Sequence, residues 1–253
     1  MRILITNDDG IYARGIRELI INLSPTEEIY VVAPEFKLSG ISGGVTFDRP
    51  VKVDRVKLSL GEREAYAVSG TPADCVILAL DALVKEIDLV ISGINDEPNI
   101  GDDIRFSGTV GACIEAAFSG RQSIAVSLNY GEKQKFYEGA ISVVKRLIDI
   151  LKVNRIPEGT FLNVNVPNIP IEEIKGVKFT RLGRKRYKNR VHKILDPYGN
   201  LYFWIGGIPL NETDQDSEDF LLREGYIVIS PLKVDKTDYQ FLEVIKTWKI
   251  GLD

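Results

Sequence analysis

Short apolar runs recur along the chain, separated by longer segments in which apolar residues return with a helical period. Each run is rich in Val, Ile and Leu and stops at turn residues, which is typical of buried strands, and the first of them resembles a strand of a parallel sheet. Such strands are predicted at Ile3–Ile5, Ile29–Ala33, Asp88–Ser92, Ser123–Leu128, Phe161–Pro167 and Tyr226–Leu232.

Helices are predicted between these strands. The first has its apolar positions on one face from Ile11 to Leu23, and the second starts at Thr71, a favourable N-cap, with Pro72 at the first helical position. Further helices are predicted over residues 107–118, about 133–151 and 239–250. The alternation of strand and helix indicates an α/β fold.

The pattern changes beyond Lys152. The alternation of strand and helix gives way there to β-rich segments around 177–180 and 201–205. Within the first 152 residues, alternating apolar and charged residues over 51–69 predict antiparallel strands with one solvated face. We therefore expect residues 1–152 to form the core that carries the site. Residues 153–253 should form a smaller β-rich part, with one strand returning to the core sheet.

Composition and charge exclude several classes of function. The chain has 253 residues, 44% hydrophobic and 27% charged, which is ordinary for a globular protein. A net charge of -4 argues against nucleic-acid binding by bulk charge, so no nucleic-acid partner is expected. Basic residues cluster from Arg181 to Lys193, but the acidic run from Glu212 to Asp219 favours mutual pairing or a solvated subunit face.

The remaining composition points to a cytoplasmic protein with no membrane partner. No apolar stretch reaches the roughly 20 residues of a membrane span, and the first predicted strand follows Met1 and Arg2 directly. Cys75 and Cys113 lie among apolar residues and are expected to be buried, reduced thiols. His192 is the only histidine, which excludes a His-rich metal site, and we expect it at the surface.

The candidate chemistry begins where the first strand ends. Asp8 and Asp9 follow that strand, and Gly10 leads into the first helix. In an open α/β sheet such a loop lies at the carboxyl edge, where ligands bind. Adjacent carboxylates repel one another, and a bound cation is a common remedy. A helix cap is the alternative for this stretch alone, since Asp is also a common N-cap residue.

Two further segments carry oxygen groups of the same kind. The loop after Ser92 contains Asn95, and Ser107, Gly108 and Thr109 open a helix whose free N–H groups suit a phosphate oxygen, although a plain Ser or Thr cap is the alternative. Carboxylate, amide and hydroxyl oxygens favour Mg²⁺ or Mn²⁺. The combination indicates phosphate-ester hydrolysis by a metal-activated water, which Asp8 or Asp9 would hold or deprotonate.

Two other architectures with paired acids fit less well. Haloacid dehalogenase-type phosphatases place their two aspartates one residue apart after the first strand, whereas Asp8 and Asp9 are adjacent. Receiver-type signalling domains need an acceptor aspartate at the end of their third parallel strand. The strand Asp88–Ser92 leads instead into Gly93, Ile94 and Asn95.

Seven segments spread over the chain resemble the SurE family, the stationary-phase survival protein E group of metal-dependent nucleotidases. In family order they are Ile5–Gly10, Ser39–Gly40, Ser69–Cys75, Ser92–Asn95, Phe106–Val110, Asn163–Pro167 and Glu224–Tyr226. The resemblance implies a Rossmann-like, doubly wound, mostly parallel sheet and a C-terminal part used in oligomerisation, as a homodimer or homotetramer. It also implies 5'-nucleotidase activity on nucleoside monophosphates, with 3'-nucleotidase and short-polyphosphate (exopolyphosphatase) activity in some members.

The resemblance also assigns site residues. One divalent metal ion per subunit is implied, and the residues that match its ligands are Asp8, Asp9, Ser39 and Asn95. The residues that match the phosphate-binding positions are Asn95, Ser107, Gly108 and Thr109. Ser39 rests on the resemblance alone, because the glycine-rich segment around it otherwise predicts a flexible linker.

Two positions depart from the family pattern. Glu97 stands where the family usually has glycine, and Leu38 stands where it often has a basic residue before the ligand serine. Extra negative charge from Glu97 motivates an alternative function, a nucleotide-sensing or scaffold oligomer with reduced or lost catalysis.

Overall fold

The computed structural model describes residues 1–131, 134–210, 214–248 and 250. The strands are β1 (Arg2–Thr6), β2 (Glu28–Pro34), β3 (Val53–Val56), β4 (Glu64–Val68), β5 (Leu89–Asn95), β6 (Gln122–Leu128), β7 (Thr160–Val166), β8 (Gly176–Phe179), β9 (Arg186–Lys188), β10 (Val191–Leu195), β11 (Leu201–Ile205), β12 (Ile208–Leu210) and β13 (Tyr226–Lys233). The α-helices are α1 (Arg14–Leu23), α2 (Pro72–Leu78), α3 (Gly108–Phe118), α4 (Glu138–Leu151), α5 (Glu218–Arg223) and α6 (Tyr239–Ile245).

The central sheet has nine strands in the order β3-β4-β2-β1-β5-β6-β7-β13-β8. The strands from β4 to β7 in this order are parallel to one another. The chain leaves β1 towards β2 on one side and later returns to place β5 on the other side. The sheet is therefore doubly wound, as predicted, and a crevice opens at the carboxyl ends of β1 and β5.

Helices cover both faces of the sheet, because successive strand residues point to opposite sides. On one face Ile3 and Ile5 pack with the buried residues of α1 and α4. On the other face Leu4 and Val32 pack with α2 and α3. These two apolar layers hold the strand ends in fixed positions.

Two local features position helices as the sequence predicts. Thr71 caps α2 through a capping box, in which its hydroxyl accepts from the N–H of Asp74 at 3.1 Å and Asp74 accepts from the N–H of Thr71 at 2.9 Å. Gly15 lets α1 approach β5 closely, since an added Cβ would lie 1.9 Å from the carbonyl oxygen of Ile94. The second contact brings the start of α1 against the loop end of β5.

The C-terminal part contributes three strands to the central sheet rather than the one that we predicted. β13 lies between β7, to which it is antiparallel, and β8, to which it is parallel. Outside this sheet, β9 pairs with β12 and β10 pairs with β11. The division of the chain at residue 152 into a core and an oligomerisation part stays a prediction.

Two helices differ in extent from the prediction. α4 begins at Glu138, and the predicted start at Lys133 lies outside the described residues. The tail helix ends at Ile245 rather than Ile250, because both the N–H and the hydroxyl of Thr247 bond the carbonyl of Val244 and close a tight turn.

The other sequence expectations concern single residues. Cys75 and Cys113 are free and buried, as predicted, and burial raises the pKa of both thiols. His192 is exposed on β10. Arg181 of the basic run pairs with Asp214 of the acidic run, while Glu212 lies outside the described residues. Within the described part of the chain, no helix combines the length and apolar character of a membrane span.

Candidate metal and phosphate site

The loop after β1 is fixed by the side chain of Asn7. Its Nδ2 donates to the carbonyl oxygen of Gly10 at 2.9 Å, and its Oδ1 accepts from the N–H of Gly10 at 3.1 Å. Gly10 has φ +100°, a left-handed conformation that favours glycine. These two hydrogen bonds close a short turn that contains Asp8 and Asp9, and they hold both residues at the end of the strand.

Asp8 is buried beneath the loop. Its Oδ1 accepts a 2.6 Å hydrogen bond from the hydroxyl of Thr109, and its carbonyl oxygen accepts from the N–H of Leu38 at 2.7 Å. Burial raises the pKa of Asp8, the hydrogen bond from Thr109 opposes that rise, and the charge of Asp9 adds to it. Burial therefore outweighs the hydrogen bond from Thr109 in its effect on the pKa of Asp8, and positive charge beside this carboxylate would offset the effect of burial.

The start of α3 packs directly on Asp8. Ser107 is the N-cap, and its Oγ accepts from the N–H of Val110 at 3.1 Å. An added Cβ on Gly108 would lie 2.8 Å from Cβ of Asp8 and 3.0 Å from its Oδ2. The N–H of Gly108 has no hydrogen-bond partner among the described residues, as expected for the first turn of a helix. The helix start that packs on Asp8 therefore carries the free N–H of Gly108 and the hydroxyl of Ser107.

The glycine-rich segment after β2 is attached to the site and is not a free linker. The N–H of Ser42 donates to the carbonyl of Phe106 at 3.0 Å. An added Cβ on Gly111 would lie 2.3 Å from the carbonyl oxygen of Ser42, so the segment rests on α3. With Leu38 bonded to the backbone of Asp8, the exposed Ser39 comes next along the chain at the mouth of the site.

Lys37 is a site residue that the sequence reasoning missed. Its Nζ lies 2.6 Å from Oδ1 of Asp9. The hydrogen bond to Asp9 raises the pKa of Lys37, and the charges of Glu97 and Asp8 act in the same direction. The available signal was the family's basic residue before the ligand serine. In this chain the basic residue is Lys37, one position before the family's place for it, which Leu38 occupies.

Asn95 ends β5, the strand beside β1. The pairing of Thr6 with Ser92 puts the two strand ends at the same edge. Nδ2 of Asn95 donates to the carbonyl oxygen of Glu97 at 2.6 Å, which leaves Oδ1 without a partner among the described residues. Any residue at 97 could supply that carbonyl, and the Glu97 side chain is exposed. The departure at 97 is therefore compatible with the observed position of Asn95.

A buried amide network holds the loop beyond Asn95. The N–H of Asn99 donates to Oδ1 of Asn165 at 2.8 Å, and the carbonyl of Asn99 accepts from Nδ2 of Asn163 at 2.8 Å and of Asn165 at 3.0 Å. The hydroxyl of Tyr137 donates to Asp96 at 2.7 Å. The Asn163–Pro167 segment of the sequence resemblance thus buttresses the site from β7.

The predicted residues gather at one edge of the sheet, although not all of them touch. Asp8 contacts Thr109 and Gly108 directly, and Asp9 contacts Lys37. Among the described residues, Ser39 and Asn95 make no hydrogen bond to either aspartate, and no group of three or more His, Cys, Asp or Glu side chains is placed to hold a metal ion. A doubly wound sheet with carboxylates against a helix start is the architecture of an α/β phosphate-binding protein.

Comparison with known proteins identifies the family. The family described as "Survival protein SurE" matches residues 3–189. The chain is 41% identical to "5'-nucleotidase SurE" of Petrotoga mobilis, over 98% of this chain and 99% of that one. It is 44% identical to "5'-nucleotidase SurE" of Pelotomaculum thermopropionicum, over 97% and 94% of the two chains. A crystal structure of the SurE protein from Aquifex aeolicus has 38% identity and a TM-score of 0.85, over 97% of this chain and 98% of that one.

The chain belongs to the SurE family. The resemblance inferred from seven short segments is thereby confirmed, as is the α/β fold with its β-rich C-terminal part. The family is divalent-metal dependent, while the individual ligands and the choice of metal stay predictions.

Proposed function

We propose that the protein hydrolyses nucleoside monophosphates to nucleoside and phosphate at the crevice between β1 and β5. It is a 5'-nucleotidase of the SurE family, and its relatives of that name match nearly the whole chain. The observation that carries the proposal is the hydrogen bond from Thr109 to Asp8. This bond joins the carboxylate pair to the helix start, so a cation and a phosphate can be bound side by side.

We propose that Asp8, Asp9, Ser39 and Asn95 hold one divalent metal ion. The donor set is entirely oxygen, which favours Mg²⁺ or Mn²⁺ over softer metals. Oδ2 of Asp9, Oγ of Ser39 and Oδ1 of Asn95 have no hydrogen-bond partner among the described residues. The raised pKa of Asp8 further supports a cation here, since positive charge would offset the buried carboxylate.

The surrounding residues orient these ligands. The Thr109 hydroxyl fixes the rotamer of Asp8, Lys37 holds one oxygen of Asp9, and the bond to Glu97 fixes which atom of Asn95 is free. Such outer partners usually change metal affinity or activity by about 10- to 100-fold when they are removed. When bound, a divalent ion lowers the pKa of a coordinated water and offsets charge on the phosphoryl oxygens.

The phosphate is received by the start of α3. The free N–H of Gly108 and the Ser107 hydroxyl donate to phosphoryl oxygens, and the positive end of the helix dipole favours the anion. Asn95, at the end of β5, supplies a further polar contact. The Thr109 hydroxyl is bonded to Asp8, so Thr109 contributes to phosphate binding mainly by holding α3 against the carboxylate. One of the two carboxylates, Asp8 or Asp9, holds the attacking water and accepts its proton.

The experiment that tests this function is phosphate release from a panel of nucleoside 5'- and 3'-monophosphates, with short polyphosphate as a further substrate. Assays contain Mg²⁺, Mn²⁺ or chelator. We expect release from 5'-monophosphates only with metal, and slower release from the 3'-esters and polyphosphate. Absence of metal-dependent release from every nucleotide would overturn the proposal. Tight nucleotide binding without turnover would favour the sensing or scaffold role motivated by Glu97.

We also propose that the protein is a homodimer or homotetramer built through its C-terminal part. The β10–β11 hairpin is a separate two-stranded sheet with apolar side chains exposed, among them Tyr202 at 55%, Phe203 at 57%, Trp204 at 68% and Ile205 at 80%. Exposed apolar surface of this kind marks an interaction site. A second copy of the chain covers the hairpin in the assembly that the family resemblance implies.

A further inference from the structure

A basic cavity of about 330 Å³ lies next to the start of α3. The segment Gly101–Phe106 forms one wall, and Lys185, Arg186, Tyr187 and Arg190 of the C-terminal part form the other. Arg105 lies two residues before Ser107, so their Cα atoms are at most about 7.6 Å apart. The cavity therefore adjoins the proposed phosphate-binding turn.

Part of the charge in this cavity is used to hold its two walls together. Nζ of Lys185 lies 2.9 Å from Oδ2 of Asp103, and the Tyr187 hydroxyl donates to the same carboxylate. The N–H of Lys185 donates to Asp102 at 3.2 Å, and Nζ lies 5.0 Å from the ring centroid of Tyr130. The side chain of Lys185 is only 8% exposed, so the ion pair between Lys185 and Asp103 has a structural role in connecting the two walls.

The arginines of the cavity are not used in this way. Arg105, Arg186 and Arg190 form no ion pair with any described residue. The Arg105 guanidinium lies 4.9 Å from the ring centroid of Phe106, which also lines the cavity. The lining therefore has four basic side chains against two acidic ones, and the three unpaired groups are all guanidinium. Guanidinium groups are the preferred partners of phosphate because their donors match two phosphate oxygens at once.

We propose that this cavity binds a second phosphate group of the substrate while Ser107 and Gly108 bind the phosphate that is hydrolysed. The substrate class is a nucleoside 3',5'-bisphosphate, in which the second phosphate lies on the same sugar as the phosphate that is hydrolysed. This inference rests on the proposed function and names a subsite beyond it. Arg186 and Arg190 approach from the C-terminal part, so the subsite exists only where that part docks on the core.

The test compares KM and kcat for a nucleoside 5'-monophosphate and the 3',5'-bisphosphate of the same base. Inhibition by tripolyphosphate is measured in the same assay, and tripolyphosphate binding is measured by calorimetry without turnover. The variants are Arg186→Gln and Arg190→Gln. The control is Lys193→Gln, which removes the same charge from β10 but does not line the cavity.

We expect each arginine variant to raise KM for the bisphosphate by about tenfold, the loss typical of one charge-assisted hydrogen bond. KM for the monophosphate should change less than about twofold, and kcat should be unchanged for both substrates. The control variant Lys193→Gln should resemble the wild type. If only the bisphosphate responds, the second phosphate comes from a nucleotide; if tripolyphosphate binding also weakens about tenfold, the subsite serves linear polyphosphate too.

Equal effects on both nucleotides, or an equal effect of Lys193→Gln, would overturn the subsite and indicate bulk charge instead. Failure of the proposed function looks different, because the wild type would then release no phosphate from the monophosphate. If the wild type turns over the monophosphate normally and the arginine variants leave the ratio of the two KM values unchanged, the subsite is refuted while the proposed function stands.

Discussion

The hydroxyl of Thr109 donates a 2.6 Å hydrogen bond to Oδ1 of Asp8, across 101 positions of sequence. Both residues are buried, and Gly108 beside them has no room for a side chain against Asp8. These contacts hold the loop after β1 and the start of α3 in fixed positions relative to each other. A cation held by the carboxylates and a phosphate held by the helix start would therefore keep a fixed distance, which the attack of a water on that phosphate requires.

Replacing Thr109 with Val should test the hydrogen bond to Asp8 while leaving the packing at this contact unchanged. Val keeps the volume but leaves Oδ1 of Asp8 without its donor, so we expect Mg²⁺ or Mn²⁺ affinity to fall by about 10- to 100-fold. Metal titration of the activity and direct calorimetry measure the change. Thr109→Ser retains the hydroxyl and is the matched control. Equal affinities in the two variants would contradict the role of the bond.

Asp8→Asn and Asp9→Asn should each lower turnover by at least about 100-fold, more than the usual effect of an outer partner. An amide fits the same space but carries no charge to hold the ion. Asp8→Asn should not lower the melting temperature, because it removes a buried carboxylate whose pKa is raised. Activity and thermal unfolding are measured together, with Asp149→Asn on the surface as control. Near-normal turnover in both variants would refute the site.

Gly108→Ala should impair phosphate binding without a change in charge. The added Cβ would lie 2.8 Å from Cβ of Asp8 and 3.1 Å from Cγ2 of Ile41, so α3 must shift away from the carboxylate. We expect KM for the nucleotide to rise by about tenfold or more. Gly43→Ala is the control, since its nearest neighbour, Cα of Gly111, would lie at 3.7 Å. A KM unchanged in Gly108→Ala would show that the helix start is not the phosphate site.

Much of the frame of this site follows from local sequence pattern. Buried strands such as β1 and β5 are recognisable as apolar runs, and parallel strands carry the residues that follow them to the same edge. That rule alone predicts that Asp8, Asp9 and Asn95 lie at one edge of the sheet. Family resemblance was needed for Ser39, because the segment after β2 is irregular and its contacts are made by backbone groups.

The contacts that were missed depend on distant parts of the chain. Lys37 reaches Asp9 only because Leu38 is bonded to the backbone of Asp8 and Ser42 to that of Phe106. The placement of β13 between β7 and β8 likewise depends on pairing between segments far apart in sequence. Local periodicity identifies a strand but does not select its neighbours, which is why one returning strand was predicted where three occur.

Trp204→Glu should dissociate the assembly. Trp204 is 68% exposed on β11, and a charge there would have to be buried in the proposed subunit interface. Sedimentation should give a dimer or tetramer for the wild type and a monomer for the variant. Phe118→Glu is the control, because Phe118 is 77% exposed at the end of α3 and outside the C-terminal part. A variant of unchanged mass would exclude the hairpin as the interface.

Glu218 should make stability depend on pH. Its side chain is fully buried, and it accepts from the N–H groups of Gly101 and Gly183, thereby joining the wall of the basic cavity to the C-terminal part. Burial raises the pKa of Glu218 from 4.5 to about 7, against the opposing effect of these hydrogen bonds. Between those two values the folded chain binds more protons than the unfolded chain. The free energy of unfolding therefore falls as pH rises through this window and levels off above it.

The loss attributable to Glu218 should be on the order of 3 kcal/mol, because each tenfold change in proton affinity is worth about 1.4 kcal/mol. Glu218→Gln keeps an oxygen for the two N–H groups and cannot ionise, so its stability should lack this component. Denaturant unfolding at pH 5 and pH 8 measures the difference between variant and wild type, at fixed protein concentration because subunit association also stabilises. The exposed Glu158, changed to Gln, is the control. If wild type and Glu218→Gln lose the same stability between the two pH values, Glu218 is ionised throughout and its burial does not control its proton.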